Sequence, residues 1–170
     1  MHHLNLIIHE LERNGKVFHN LLDGVPREQQ LWKPAPDKWC LLEIVCHLYD
    51  EELDDFRARI KHVLATPDQK LPPSDPMGWV TQRKYLEQHY ETTLTRFLDE
   101  REKTLTWLRG LQNASWDNAY QHPTHGPLKA SMFLINWPAH DYLHIRQIIR
   151  TKHLYLQQLT GENLQYAGDW

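Results

Sequence analysis

Several residue types and patterns that mark particular protein classes are scarce in this 170-residue chain. There are two cysteines and seven glycines, and no segment alternates apolar and polar residues as a half-buried strand does. No apolar run approaches the ~20 residues that span a membrane, and no secretory signal is recognisable at the N-terminus. The net charge is only -3, with mixed signs. We therefore expect a soluble protein without nucleic-acid or membrane partners.

The two cysteines give a further indication of the compartment. Cys40 and Cys46 lie in one predicted helix, six residues and therefore about 9 Å apart along its axis. Because they also lie on different faces, they are too far apart for a disulfide. Free thiols are typical of the cytoplasm, which is the location we expect. The length fits a single domain over residues 1–170.

Helical periodicity dominates the rest of the sequence. Apolar residues recur every three or four positions and predict four long helices, at about 4–22, 41–64, 80–111 and 128–152. Four amphipathic helices in one domain favour an all-α four-helix bundle. The long connectors 24–39 and 112–127 leave its topology open. Arg101 interrupts the apolar line of the third helix and needs a partner if it is buried.

Histidines occupy apolar positions on two of these helices. His140 and His144 are four residues apart, so they lie one turn apart on one helix face. His47 lies between Ile44 and Leu48 on the inner face of the second helix. Three histidines with an open position are typical of a catalytic metal site, and bundle cores are a common place for such sites. The spacing alone leaves open a core of hydrogen-bonded histidines without metal.

Two segments of the chain resemble motifs of the DinB/YfiT-like superfamily. The first is WCLLEIVCHL at 39–48, and the second is HDYLHIRQI at 140–148. The resemblance extends over nearly the whole chain. It implies a four-helix bundle, a possible homodimer, and a divalent ion (zinc, nickel or iron) on three histidines. By position these ligands would be His47, His140 and His144.

The sequence departs from the family pattern at two positions. Cys40 stands where a serine cap is usual, although Glu43 keeps the spacing of a capping box. Pro138 falls inside the fourth helix, where it removes a hydrogen bond to the Leu134 carbonyl and should kink the helix.

Further site residues follow from helical spacing. Glu51 lies one turn after His47 and is our first candidate for a catalytic base or for a group that orients His47. Candidates for the surroundings of the site are Asp141, Gln147 and Trp137, which lie beside the paired histidines on the fourth helix.

The resemblance implies a metal-dependent hydrolase that acts on a small molecule, with the metal activating water. A transferase that uses a low-molecular-weight thiol would need the same metal site. A non-catalytic stress-response binding module, whose metal supports the fold, is a third hypothesis.

Overall fold

Helices make up most of the computed structural model, which describes residues 3–169. They are α1 (Leu4–Leu22), α2 (Arg27–Leu31), α3 (Leu41–Asp50), α4 (Arg57–Ala65), α5 (Pro76–Gln82), α6 (Tyr90–Arg109) and α7 (Ala130–Thr160). A π-helical turn (Glu51–Phe56) joins α3 to α4, and 3-10 turns lie at Tyr85–Glu87 and Leu164–Ala167. Two short strands, β1 (Ala119–His122) and β2 (Gly126–Lys129), form an antiparallel hairpin.

Four long helical stretches form the predicted bundle, which is confirmed. α1 packs against α6 and α7, while α3 packs against α6 and α4 packs against α7. The α3–α4 stretch therefore lies across the bundle from α1. The connector from α1 to α3 is long because it must cross from one side of the bundle to the other. Among the described residues, no helix has the length and apolarity needed to cross a membrane.

The first two predicted helices are confirmed. The second runs from Leu41 to Ala65 as α3, the π-helical turn and α4. Cys40 and Glu43 form a capping box, in which the Cys40 backbone N–H donates to Glu43 Oε2 at 2.9 Å. The box fixes the start of α3, and with it the position of His47 on this helix.

The prediction of a third helix over 80–111 is wrong at its beginning. α5 ends at Gln82, and Lys84 has a φ of 50°, in the left-handed region, which stops the helix. α6 begins only at Tyr90. His89 is its N-cap, and the His89 side chain accepts a hydrogen bond from the Thr92 backbone N–H. Local capping and turn geometry thus override the apolar spacing here.

The second connector contains structure that the periodicity did not indicate. The β1–β2 hairpin occupies 119–129, with Gly126 at a φ of 71° where the chain turns. α7 consequently begins at Ala130 instead of 128, and it runs without interruption through Pro138 to Thr160, eight residues beyond the predicted end. Buried residues of α1, α4, α6 and α7 pack into the apolar core at the hairpin side of the bundle.

Candidate metal centre

Three histidines from two helices converge at the centre of the bundle. His47 is on α3, and His140 and His144 are one turn apart on α7. The Nε2 atom of His140 lies 3.2 Å from that of His47 and 3.1 Å from that of His144. The candidate ligand atoms of all three lie within 4.8 Å of one another. The structure therefore brings together the three residues selected from the sequence.

The environment keeps these imidazoles neutral. His47 and His144 are buried, and His140 is half-buried. Burial, together with the neighbouring imidazoles, lowers the pKa of His47 to about 3 and that of His140 to about 2. Burial also lowers the pKa of His144. Near neutral pH each ring therefore has one nitrogen with a free lone pair, the form that binds metal ions.

Gln147 determines which nitrogen of His144 carries the proton. Its Oε1 atom lies 2.8 Å from His144 Nδ1. Because an amide oxygen can only accept, Nδ1 must carry the hydrogen, and Nε2 then presents its lone pair to the centre. A second contact of this kind is typical of metal-binding histidines.

Glu51 lies behind His47 and not at the point where the three rings meet. Its Oε1 is 4.0 Å from His47 Nδ1, beyond hydrogen-bond distance, and both groups are buried. Within the described residues, His47 Nδ1 has no hydrogen-bond partner. Burial, together with the nearby Asp55 carboxylate, raises the pKa of Glu51 to about 8. Glu51 thus lies near His47 Nδ1 without a hydrogen bond to it.

The π-helical turn begins at Glu51, directly after the helix that carries His47. Its i→i+5 hydrogen bonds add a residue to the turn, and π-helical segments occur frequently at functional sites. Two successive residues of the turn, Glu51 and Glu52, are both buried. Glu51 approaches His47, whereas Glu52 pairs with Arg101 in the core.

Aromatic rings enclose the histidines on two sides. The Trp39 ring lies parallel to that of His144, with centroids 6.4 Å apart, and 4.9 Å from the His47 ring. The Phe56 ring is 5.2 Å from that of His140 and stacks on Trp137 at the same distance. Trp137, one of the candidates for the surroundings of the site, thus supports Phe56 from within the core.

Asp141 faces away from the three rings, although we expected it among the surroundings of the site. Its carboxylate accepts two hydrogen bonds from Arg101, at 2.7 and 2.9 Å, and a third from Asn14. Adjacent positions on a helix differ by about 100°. Asp141 therefore points from α7 toward α1 and α6, where its carboxylate is a partner of the buried Arg101.

Two residues of the centre were not selected from the sequence. Trp39 is part of the first motif, but its place in a connector gave no sign that it covers His144. Phe56 lies nine residues after His47, and only the π-helical turn directs it toward His140. Turn and connector geometry, which apolar spacing does not encode, places both rings.

A divalent ion fits the donor atoms that meet here. His140 Nε2 lies about equally far from two other Nε2 atoms. Neutral His140 has at most one proton there, so at least one of these two close contacts has no well-aligned hydrogen bond. A cation between the three nitrogens would give each of them a partner. Imidazole donors suit zinc, nickel and ferrous iron.

Comparisons with known proteins found a matching family model and a similar solved structure. A family model described as the DinB superfamily matches residues 10–148. YfiT from Bacillus subtilis has a similar structure, with a TM-score of 0.77 and 17% sequence identity over 94% of this chain and 89% of its own. That protein is described as a probable metal-dependent hydrolase with an unusual four-helix bundle topology. Comparison with curated proteins gave no match.

Proposed function

The chain belongs to the DinB superfamily, and we propose that it is a hydrolase dependent on a divalent ion held by His47, His140 and His144. The observation that carries the proposal is the convergence of three neutral imidazoles through their Nε2 atoms. Zinc, nickel and iron are the candidate ions, since imidazole binds each of them.

The residues around the centre have distinct roles in this proposal. Gln147 holds His144 in the tautomer whose Nε2 faces the ion. Glu51 lies on the Nδ1 side of His47, whereas His47 faces His140 through Nε2, so we assign Glu51 the role of orienting the His47 ring and not that of a base acting directly on substrate. When bound, the ion supplies a Lewis acid that lowers the pKa of water from 15.7 toward about 7.

A small-molecule substrate would approach from the side of His140, the most exposed of the three histidines. On the other sides Trp39 covers His144, while Phe56 and Trp137 close the core behind His140. These rings cover much of the centre and exclude bulk water from the covered sides.

Location and assembly are also part of the proposal. Cys40 and Cys46 are both free and buried, which is consistent with a reducing cytoplasm. The homodimer is proposed on the family resemblance alone. Sedimentation analysis at several protein concentrations would test it, and a monomer throughout would contradict it.

The metal assignment is tested by removing one imidazole. The purified chain is stripped with a chelator, reloaded separately with zinc, nickel or ferrous iron, and dialysed before elemental analysis. We expect one ion per chain in the wild type and far less in His144→Ala, because two imidazoles rarely hold a metal alone. The control is His19→Ala, which removes an exposed histidine of α1. A full equivalent of metal in His144→Ala would contradict the ligand assignment.

Hydrolysis is tested separately on the loaded protein. A panel of carboxylic esters, amides and phosphoesters is assayed with the wild type and His144→Ala, together with thermal unfolding with and without chelator. Turnover that is lost with the metal supports the hydrolase. A large loss of stability on chelation, without turnover of any substrate, would show that the metal supports the fold instead.

A further inference from the structure

Arg101 is a buried cation that contacts every long helical stretch of the bundle. It belongs to α6, only 1% of its surface is exposed, and it lies in the middle of the core. A positive charge in such a place is costly unless it is paired and hydrogen-bonded. Its partners are therefore informative about what its position achieves.

Each nitrogen of the guanidinium has a partner. Nε donates to both Glu52 carboxylate oxygens, at 3.1 and 3.0 Å. Nη1 and Nη2 donate to the two oxygens of Asp141, at 2.7 and 2.9 Å, and Nη1 also donates to the Leu11 carbonyl at 3.1 Å. Asn14 of α1 donates to the same Asp141 carboxylate. One planar group thus joins α1, the π-helical turn and α7 to α6.

Both carboxylates are next to the metal centre in sequence. Asp141 follows His140 directly on α7. Glu52 follows Glu51 in the π-helical turn, five residues after His47. The elements that carry the histidines are therefore attached to the same guanidinium, one on each side. The planar Arg101 fork presents its N–H donors to both carboxylates in a fixed geometry.

Stability alone is a weak reason for this arrangement. Desolvation of a buried ion network offsets much of its attraction, and replacement of such a network by well-packed hydrophobic side chains of similar volume is often neutral or stabilising. A forked guanidinium does give a defined distance and angle between its partners. A metal centre needs that definition, because its donor atoms must lie within a few tenths of an ångström of the required positions.

We propose that Arg101, through Glu52 and Asp141, is a positioning residue that sets the spacing between His47 and the His140–His144 pair. The inference rests on the proposed metal site. It assigns no contact with substrate or ion to Arg101, which acts only through the two elements it joins.

The test separates positioning from simple support of the fold. The triple variant Arg101→Met/Glu52→Gln/Asp141→Asn removes all the charges of the network. The two amides keep the shape of the carboxylates, and methionine keeps the unbranched apolar stem of the arginine. The control is Arg57→Met, which removes an ion pair between α4 and α6, with Arg57 Nη2 2.6 Å from Glu100 Oε2. Each protein is stripped and titrated with Co²⁺ against a chromophoric chelator, and the visible bands of bound Co²⁺ report the coordination geometry. Urea unfolding without metal measures stability.

We expect the triple variant to bind Co²⁺ at least tenfold more weakly than the wild type, a loss of the size seen when outer partners of a metal site are removed. Its Co²⁺ bands should also shift, whereas Arg57→Met should keep the wild-type affinity and spectrum. A folded triple variant with wild-type affinity and bands would overturn the inference. So would an equal loss of affinity in Arg57→Met.

Two further results keep the test decisive. If the triple variant does not fold, Asp141→Asn alone is measured, since it keeps the Arg101–Glu52 pair and the hydrogen bond from Asn14. Unchanged Co²⁺ affinity and bands in this variant would overturn the inference. If the wild type itself bound no Co²⁺, the proposed function would fail, which is distinguishable from failure of the role of Arg101.

Discussion

Replacement of Glu51 by glutamine should change how stability depends on pH. Glu51 is buried, and its pKa rises from 4.5 to about 8, chiefly because burial disfavours the charged carboxylate. In the unfolded chain the group is ionised above its ordinary pKa. The stability that Glu51 contributes as a neutral acid is therefore present at low pH and is lost as pH rises through about 8.

The size of the effect follows from this displacement of the pKa. Between pH 7 and pH 9 the folded-state carboxyl goes from about nine-tenths to about one-tenth protonated, while the unfolded chain stays ionised. The wild type should therefore lose roughly 1 kcal/mol more than Glu51→Gln over this range. The raised pKa values of Cys40 and Cys46, which are caused by burial, add a loss near pH 9. That loss is common to both proteins and cancels in the comparison.

Urea unfolding of chelator-treated protein at pH 7, 8 and 9, followed by circular dichroism, measures this difference. Glu87→Gln, which replaces an exposed carboxylate, should follow the wild type. If Glu51→Gln loses as much stability as the wild type between pH 7 and 9, Glu51 is already ionised at neutral pH and the reasoning is wrong.

Two further substitutions test the surroundings of the centre. Trp137→Ala should lower the free energy of unfolding, measured with urea, by about 3–5 kcal/mol, because it leaves a cavity beside Phe56. The control Leu143→Ala, on the exposed face of α7, should change it by less than about 0.5 kcal/mol, and equal effects of the two substitutions would contradict this. Gln147→Leu should weaken metal binding by roughly 10–100-fold in chelator competition, since His144 Nδ1–H loses its acceptor, and the exposed control Gln157→Leu should bind as the wild type does.

Much of the fold could be predicted from the sequence because apolar residues recur every three or four positions along the buried face of a long amphipathic helix. The 4–22 helix agrees with the structure at both ends. Helix ends and turns that depend on the conformation of one or a few residues could not be predicted from the periodicity. Lys84, in a left-handed conformation, ends the helical run that the apolar spacing extended. The hairpin at 119–129 has strands of only four residues, too short to show a clear alternation.

The candidate site divides in the same way. His47, His140 and His144 could be selected because ligand histidines on helices must occupy positions that would otherwise be apolar. Their assignment as ligands stays a prediction, although the structure brings them together. Asp141 follows His140 directly and therefore points about 100° away from it on the helix, and its carboxylate contacts Arg101 and Asn14. Arg101 was recognisable as a charge in an apolar line, but only the three-dimensional structure identifies its two carboxylate partners.

The π-helical turn has a consequence for how this region is compared with other sequences. Ile44 and Ile60 are both fully buried, yet in a regular α-helix they would lie roughly 160° apart around the axis. The wider turn between them restores a common buried face. A relative whose helix is regular here would therefore need a one-residue gap within 51–56. Its apolar repeat would continue in phase across that gap, whereas the repeat in this chain changes phase there.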